Sequence, residues 1–559
     1  MSRRGARGVM TWVAVPVILL LFWLVLYPNL FVFFDSIRDG ADFTGRHYVE
    51  FLARESEREA LWNSIWLSAA SVVLSALIGI PLAFFFSRHE FPGRRILGAL
   101  VSLPVLLPPL VGVIAFVFLY GESGFLARGI QELFRLETPP WRLTGPTAIL
   151  LVHAYTMYVY FFLFTSAGLA RLDPAFAEAG AALGASRWTI MRRVTLPMLA
   201  PAVAGAGLLV FMTSMGSFSA PYIFGGGFRV MPTQIVSTRL NGENELAMVE
   251  TIFLTLLALA ALWLLRGAAP RDQAAGGRKG VAPARRVVRH RGVRAALLVA
   301  GGGLAVLLLL PHLTLLLVSL VPLGTWTTEP LPPAYTLRNY LTLVEDPVRA
   351  RPLVNSLWLA TLATAAAVAL GLAGAMITVR RRAPGARWIE ALLALPWAVP
   401  GTVFAIALAT AFSVHAPWFG RVILVGTLWI LPLAYLVRNL PITSRAIQAG
   451  VRALDPSMDE AAATLGAGRW RTLRRVTLPL LRPALLAGAS LAFVTAFGDF
   501  VTSIMLYTYD TRPISLEILS SLRQSDVGVA AAYGVVLMLV SAAVFAIGSG
   551  GRGGEGNAG

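Results

Sequence analysis

The sequence contains no cysteine, which excludes disulfides, thiolate metal sites and thiol catalysis. Charge is also scarce, since 14% of the 559 residues are charged while 57% are hydrophobic. A soluble chain of this length needs more polar surface, so we expect a membrane protein. No segment fits GxxxxGK[ST], the phosphate-binding loop of many nucleotide-hydrolysing proteins, so the chain is not expected to hydrolyse ATP itself.

Long apolar runs predict about 12 transmembrane helices, and therefore an all-α integral membrane fold with two tandem six-helix repeats. The runs of the first repeat are Val9–Phe34, Leu61–Phe86, Ile96–Tyr120, Pro146–Leu169, Ala200–Phe224 and Met248–Leu265. Those of the second are Ala295–Val321, Leu357–Val379, Ile389–Phe412, Val422–Thr443, Pro483–Leu506 and Val527–Ile547. We predict a first repeat over 1–266, a basic, flexible cytoplasmic linker over 267–294, a second repeat over 295–548 and a disordered tail over 549–559.

The net charge of +18 is nearly all arginine, because Lys279 is the one lysine. With both termini placed in the cytoplasm, the predicted cytoplasmic segments hold roughly 32 of the 47 basic residues and 9 of the 29 acidic ones. This distribution follows the positive-inside rule and predicts contact with membrane lipids. It explains the basicity without a nucleic-acid partner, so none is expected.

A 26-residue segment occurs twice without a gap, as Leu172–Pro197 and Leu454–Pro479, with about 17 of 26 positions identical. The segment Asn63–Leu67 likewise returns as Asn355–Leu359, although 292 rather than 282 residues later. About ten extra residues are therefore expected in the first half, between Gly121 and Gly145. Two repeats of six helices cross the membrane in the same direction and are parallel, so a pathway between them is expected.

Each copy of this segment predicts two short helices joined by a turn. Asp173 and Asp455 precede proline and suit the N-cap of the first helix. Gly184 and Gly466 suit its end, because glycine readily adopts the positive φ that stops a helix. We expect the second short helix to begin near Trp188 in the first copy and near Trp470 in the second.

The order Glu-Ala-(Ala or Gly), a glycine six residues after the glutamate, and Val-Thr-Leu-Pro resembles the cytoplasmic EAA loop of ATP-binding-cassette (ABC) importer permeases. Gly180 departs slightly from this pattern, since the second copy has Ala462 there. Without this resemblance, the residues would also fit a basic amphipathic loop that lies on the inner membrane surface. The resemblance implies that six loop residues couple to an ATPase: Glu178, Ala179, Gly184, Glu460, Ala461 and Gly466.

The same resemblance implies a fused, type I permease of a binding-protein-dependent importer in the bacterial inner membrane. A homodimeric ABC ATPase and a periplasmic or lipid-anchored solute-binding protein are the implied partners. ATP is then used by the ATPase, and this chain binds no cofactor and no metal. Fused permeases of this layout most resemble those for ferric iron, with thiamine, polyamine and phosphonate importers as alternatives.

Six arginines that follow the two glycines are expected to contact either the ATPase or acidic lipid headgroups, and membrane topology alone favours the lipid. These residues are Arg187, Arg192, Arg193, Arg469, Arg474 and Arg475.

Asp499 lies within a predicted span and aligns with Ser217 of the first half. An acid inside a membrane usually faces a cavity or the bundle interior, so Asp499, together with Ser217 at the equivalent position, is a candidate for the translocation path. The alternative is a hydrogen-bonded residue near the outer end of its helix. Prolines that kink the third span of each half are further path candidates, although kinks for packing are equally expected. These prolines are Pro104, Pro108, Pro109, Pro396 and Pro400.

Two other classes of membrane protein are alternatives to an ABC importer permease. A secondary transporter driven by an ion gradient predicts paired acids and bases within the spans, whereas Asp499 stands nearly alone in the sequence. A membrane-embedded enzyme predicts clustered His, Asp or Glu at one membrane face. His153 and His415 have no partners at metal-ligand spacing and are interpreted as structural.

Overall fold

The computed structural model describes residues 14–39, 42–267, 285–326, 329–380, 385–413, 422–455 and 457–550. Most of the predicted linker and tail lie outside these ranges, as do Arg381, Arg382 and His415. The described chain is almost entirely helical, with strands of two residues only. β1 (Arg38–Asp39) pairs with β2 (Asp42–Phe43), and β3 (His89–Glu90) pairs with β4 (Arg286–Val287).

The first half contains thirteen described helices. α1 is Ala14–Ser36, α2 Arg46–Ala53, α3 Glu55–Arg88, α4 Arg94–Ser102, α5 Pro109–Tyr120, α6 Phe125–Phe134, α7 Gly145–Arg171, α8 Pro174–Ala182, α9 Arg187–Ile190, α10 Leu196–Met215, α11 Ser219–Phe224, α12 Met231–Leu240 and α13 Asn244–Gly267. Helix α6 lies between Gly121 and Gly145, where the extra residues of the first half were expected.

The second half contains twelve described helices. α14 is Arg291–Val318, α15 Arg338–Glu345, α16 Pro347–Ala375, α17 Ala386–Ala398, α18 Gly401–Ala411, α19 Ile430–Ala453, α20 Ser457–Thr464, α21 Arg469–Thr472, α22 Leu478–Phe497, α23 Val501–Leu506, α24 Ile514–Arg523 and α25 Val527–Gly550. The last four residues of the predicted linker, 291–294, belong to helix α14.

Ten described helices are long and apolar enough to cross a membrane, or eleven if α17 and α18 form one bent span. The predicted number was twelve. The difference lies at the predicted span Val422–Thr443, because α19 begins at Ile430 and carries Arg438, Arg445 and Arg452. These arginines make α19 less apolar than the other long helices.

The third predicted span of each half is broken instead of continuous. In the first half, α4 and α5 are separated by a 3₁₀ turn over Leu103–Leu106. In the second, α17 and α18 meet at an angle of 111°. The breaks fall at Pro108-Pro109 and at Pro400, since proline lacks the backbone N–H and keeps the preceding residue extended.

Each half is built on three mutually packed helices: α3, α7 and α10 in the first, and α16, α19 and α22 in the second. The halves also exchange contacts. Helix α1 packs against α18 of the second half, and α14 packs against α5 of the first. Trp23 of α1, for example, lies edge-on to Phe412, with ring centroids 5.0 Å apart. This exchange places α5 and α18 at the centre of the molecule.

Candidate functional site

The two repeated loops begin with the predicted N-caps. The Asp173 Oδ1 accepts a hydrogen bond from the Ala175 backbone N–H at 3.0 Å, and the Asp455 Oδ1 accepts one from the Ser457 N–H at 2.9 Å. The backbone N–H and the hydroxyl of Ser457 hold the pKa of Asp455 below its ordinary value. Each aspartate thereby satisfies an N–H group that the helix itself leaves unpaired.

The two loop glycines end these helices as predicted. Gly184 has φ of 78° and Gly466 has φ of 75°, a region that residues with a Cβ rarely adopt. The residue after each glycine donates its N–H back to the helix, from Ala185 to the Gly180 carbonyl at 3.0 Å and from Ala467 to Ala462 at 2.9 Å. These bonds close each helix and turn the chain towards the next one.

Both loops expose apolar side chains at matching positions. Leu183 is 89% exposed and its equivalent Leu465 is 88% exposed. The pairs Trp188 with Trp470 and Phe176 with Met458 are also exposed. Exposed apolar surface that recurs in both halves is typical of a protein-binding face. The predicted coupling residues Glu178, Ala179, Gly184, Glu460, Ala461 and Gly466 are all exposed beside it, as are Arg187, Arg192, Arg193, Arg474 and Arg475, while the side chain of Arg469 is not described.

The departure of Gly180 from the motif has a structural reason. A β-carbon built at position 180 would lie 3.2 Å from the Ile190 Cγ1, which is a tight contact. The second half has Ala462 at the equivalent position and the smaller Thr472 in place of Ile190. The first loop therefore combines a glycine at position 180 with the larger Ile190, whereas the second combines the methyl group of Ala462 with the smaller Thr472.

Two of the path candidates, Pro108 and Pro400, each lie against a glycine of the other half, and these contacts form one junction. A β-carbon built on Gly498 would lie 2.8 Å from the Cβ of Pro108, and one built on Gly216 would lie 3.6 Å from the Cβ of Pro400. Each glycine follows the long helix that leaves its loop, and each proline marks the break in the other half. The two contacts are reciprocal, as the duplication requires. Pro109 begins α5. Pro104 and Pro396 are buried, and no contact of either with this junction is seen among the described residues.

Aromatic rings fill this junction. Phe218 and its equivalent Phe500 lie with ring centroids 5.6 Å apart and are 1% and 2% exposed. Tyr222 stacks on Phe218 at 5.0 Å and approaches Phe500 at 6.0 Å, and its hydroxyl accepts a hydrogen bond from Arg523. Burial of both phenylalanines leaves the junction closed between the halves. The sequence did not single out these rings, although their spacing of 282 matches that of the loops.

Asp499 is paired, so the prediction that it stands nearly alone was wrong. It lies between α22 and α23. Its carboxylate accepts a hydrogen bond from Arg438 and forms an ion pair with this residue. The same carboxylate accepts the backbone N–H groups of Thr502 at 2.9 Å and Ser503 at 3.2 Å. Asp499 thus caps α23 and ties it to α19, and its side chain is 3% exposed. Arg438 lay within a predicted span but was overlooked.

The Arg438 guanidinium also contacts the break of the third span. A β-carbon built on Gly401 would lie 2.8 Å from its central carbon, so glycine leaves the room that this side chain occupies. Gly401 directly follows Pro400, which faces Gly216 of the first half. The Arg438–Asp499 ion pair therefore links the start of α23 to the break between α17 and α18, next to the junction.

The first half has a neutral cluster at the corresponding place. Ser217, the equivalent of Asp499, hydrogen-bonds to the His153 Nε2 at 3.0 Å. The His153 Nδ1 lies 2.9 Å from the Ser71 hydroxyl and 3.2 Å from that of Ser214. Both ring nitrogens of this buried histidine therefore have hydrogen-bond partners, which fits its structural interpretation. Within the described ranges, no group of three metal-ligating residues occurs.

Comparison with known proteins gives matches to both halves. The family model described as "Binding-protein-dependent transport system inner membrane component" matches residues 75–271 and 366–549. A probable ABC transporter permease protein of Sinorhizobium fredii is 28% identical over 548 residues, covering 97% of this chain and 94% of the relative. A ferric transport system permease protein of Actinobacillus pleuropneumoniae is 28% identical over 538 residues, covering 94% and 76%. A molybdenum transport system permease protein of Mycobacterium bovis is 32% identical over 212 residues, covering 37% and 78%.

Proposed function

The chain belongs to the family of binding-protein-dependent transport system inner membrane components, and we propose that its two halves form the complete solute pathway of an ATP-driven importer. It is a multi-pass ABC permease subunit of a bacterial inner-membrane system, with a transport role instead of an enzymatic one. The observation that carries the proposal is that the family pattern and its exposed loop occur once in each half. A second permease chain is then unnecessary.

The pathway runs between the halves, and its narrowest point is the junction of Phe218 and Phe500. Both rings are buried against each other, and the Gly498–Pro108 and Gly216–Pro400 contacts hold the backbones together around them. A solute therefore passes only after the halves separate at this level. The separation is then a two-state step, because closely packed rings have no stable intermediate arrangement that leaves a void between them.

The two exposed loops are the sites where an ATPase homodimer docks, one subunit on each loop. Their apolar residues supply the buried contact, and the surrounding arginines contact the ATPase or lipid headgroups. ATP is bound and hydrolysed by these partner subunits, and both termini of this chain lie on the same cytoplasmic side.

Helices α10 and α22 carry the movement from the loops to the junction. Each has 20 residues, from Leu196 to Met215 and from Leu478 to Phe497, and so extends about 30 Å. Each ends directly before the glycine that contacts the other half. A displacement of a loop is thereby transmitted along one continuous helix to Gly216 or Gly498. By linkage, if ATP binding to the ATPase strengthens docking of the loaded solute-binding protein outside, that docking strengthens ATP binding inside by the same factor.

Ferric iron is the substrate that the relatives favour. The ferric permease of Actinobacillus pleuropneumoniae matches across 94% of this chain, which includes both halves and the linker region. Molybdenum is a second candidate, because a molybdenum transport system permease matches one segment of 212 residues at 32% identity. A solute-binding protein outside the membrane delivers the substrate and sets most of the specificity.

The proposal is tested by reconstituting the chain in liposomes with the ATPase and solute-binding protein that co-purify with it. We expect ATP-dependent accumulation of ferric iron delivered by that binding protein, and no accumulation with a non-hydrolysable ATP analogue. Accumulation of molybdate but not iron would assign the second substrate. Uptake without ATP, driven by an imposed ion gradient, would contradict the proposed mechanism.

A further inference from the structure

The second loop has an anchor to the membrane helices that involves Arg380. This residue ends the π-helical turn Met376–Arg380 that extends α16, and its side chain is only 10% exposed. The Arg380 Nε donates to the Asp459 Oδ2 at 2.8 Å, and its Nη1 donates to the Leu454 carbonyl at 3.4 Å. Leu454 is the first residue of the repeated segment, and Asp459 lies in the first turn of α20. One guanidinium therefore holds two points of the same loop.

The first loop has no carboxylate at the corresponding position. Ala177 is the equivalent of Asp459 at the spacing of 282, and a methyl group accepts no hydrogen bond. The equivalent of Arg380 is Arg88, whose guanidinium lies 5.1 Å from the ring centroid of Phe84. Glu178 is the one ionisable residue of α8, and among the described residues it forms no ion pair. The Arg380–Asp459 ion pair of the second loop therefore has no counterpart at position 177 of the first.

This difference matters because of where α16 lies. It packs along both α19 and α22, the helices that enter and leave the second loop. An ion pair with one buried partner and a second hydrogen bond from the same guanidinium is more restrictive than a fully exposed pair. The second loop is therefore joined to α16 by this pair as well as to α19 and α22 through the chain, whereas Ala177 gives the first loop no such ion pair with α3.

We propose that Arg380 and Asp459 are positioning residues that make the second loop the stiffer of the two, so that an ATPase subunit docked there moves α16 together with α19 and α22. The inference rests on the proposed function for its consequence in transport, but the stiffness itself is a property of this chain alone. The first loop yields more before its helices move. The two ATPase subunits are then coupled unequally to the pathway.

Spin labels test the stiffness without any partner. Because the chain has no cysteine, Leu183→Cys and Leu465→Cys each give a single labelling site, and these equivalent positions are almost equally exposed. We expect the label at 465 to be less mobile than the label at 183 in the detergent-solubilised full chain. Asp459→Ala is expected to raise the mobility at 465 to that at 183, while Asp459→Glu retains the low mobility. Equal mobility at the two sites in the unmodified loops would overturn the proposal, as would a label at 465 that ignores Asp459→Ala.

The consequence for coupling is tested in the reconstituted importer. Asp459→Ala is expected to lower the solute transported per ATP hydrolysed by roughly two- to fivefold, the effect of losing a pair of modest strength. Asp459→Glu and the exchanged pair Arg380→Asp with Asp459→Arg are expected to restore it. An unchanged ratio in Asp459→Ala would overturn the unequal coupling. Failure of the unsubstituted chain to use ATP would overturn the proposed function instead, and the difference in label mobility would stand.

Discussion

Gly498 lies directly against Pro108 of the other half, with room for no side chain between them. A β-carbon at position 498 would be 2.8 Å from the Cβ of Pro108, closer than real Cβ contacts come, whereas at the equivalent Gly216 the distance to Pro400 is an ordinary 3.6 Å. The pseudo-symmetric junction is therefore tight on one side and relaxed on the other.

This difference predicts unequal effects of the same substitution. Gly498→Ala is expected to cost about 1–3 kcal/mol of stability by overpacking the closed junction, and to favour its separation. Gly216→Ala is the matched control and is expected to cost little. Thermal unfolding of the purified chain in detergent measures both. Equal midpoints for the two variants would contradict the contact at Gly498.

The Arg438–Asp499 pair predicts a strong energetic coupling. Asp499→Asn removes the charge that Arg438 faces; the loss of one partner costs roughly 3–5 kcal/mol in a fully buried pair, and less is expected here because Arg438 is 30% exposed. The double variant with Arg438→Gln should lose less than the sum of the single variants, with an interaction energy of about 0.5–3 kcal/mol. The free energy of unfolding in mixed micelles measures this cycle.

Asp510→Asn is the control for that cycle, because the Arg351–Asp510 pair is 52% and 70% exposed and is worth at most about 1 kcal/mol. If the changes in unfolding free energy caused by Arg438→Gln and Asp499→Asn are strictly additive, the two residues do not interact, and the pair is contradicted. Unchanged solute uptake by Asp499→Asn would return Asp499 to a purely structural role.

Gly184 and Gly466 predict a backbone-specific effect on coupling. Valine at either position is strained at positive φ by about 1–2 kcal/mol, so the turn between the two short helices should distort and ATPase binding should weaken. Gly468→Ser is the matched control, since Ser186 stands at the equivalent position of the first loop. Binding of the ATPase to the purified variants distinguishes them, and normal binding by Gly184→Val with Gly466→Val would exclude the turns from the docking site.

Glu178 and Glu460 predict a shared role at the ATPase surface. Replacing both with alanine should leave the protein inserted in the membrane but abolish ATP-driven uptake and reduce the ATPase that co-purifies. Glu132→Ala with Glu345→Ala removes the same charge from exposed helices on the predicted external side and should have no such effect. Normal uptake by the first double variant would refute the assignment of these loops.

The loops were predictable from sequence because their conformation is decided locally. Asp173 caps the helix that begins at the next residue, and Gly184 ends it, so no distant contact is needed. The duplication strengthened the prediction, since the same local signals occur at the same spacing in both halves. The exposure of the loops was likewise implied by their length and their arginines.

The junction was only partly predictable, because its contacts join residues far apart in the chain. Asp499 and the prolines were found as polar or helix-breaking residues within apolar runs. Phe218 and Phe500 were not, since an aromatic residue in a membrane helix gives no sign of which ring it faces. Arg438 was overlooked within an apolar run, and together with Arg445 and Arg452 it makes α19 less apolar than the other long helices.

The measurement that tests the central claim most directly is the number of ATPase subunits that co-purify with the tagged chain from its native membrane in mild detergent. A fused permease with two equivalent loops should retain two ATPase copies per chain, and the variant with Glu178→Ala and Glu460→Ala should retain fewer. Recovery of no ATPase, together with uptake into vesicles that follows an ion gradient, would contradict the account.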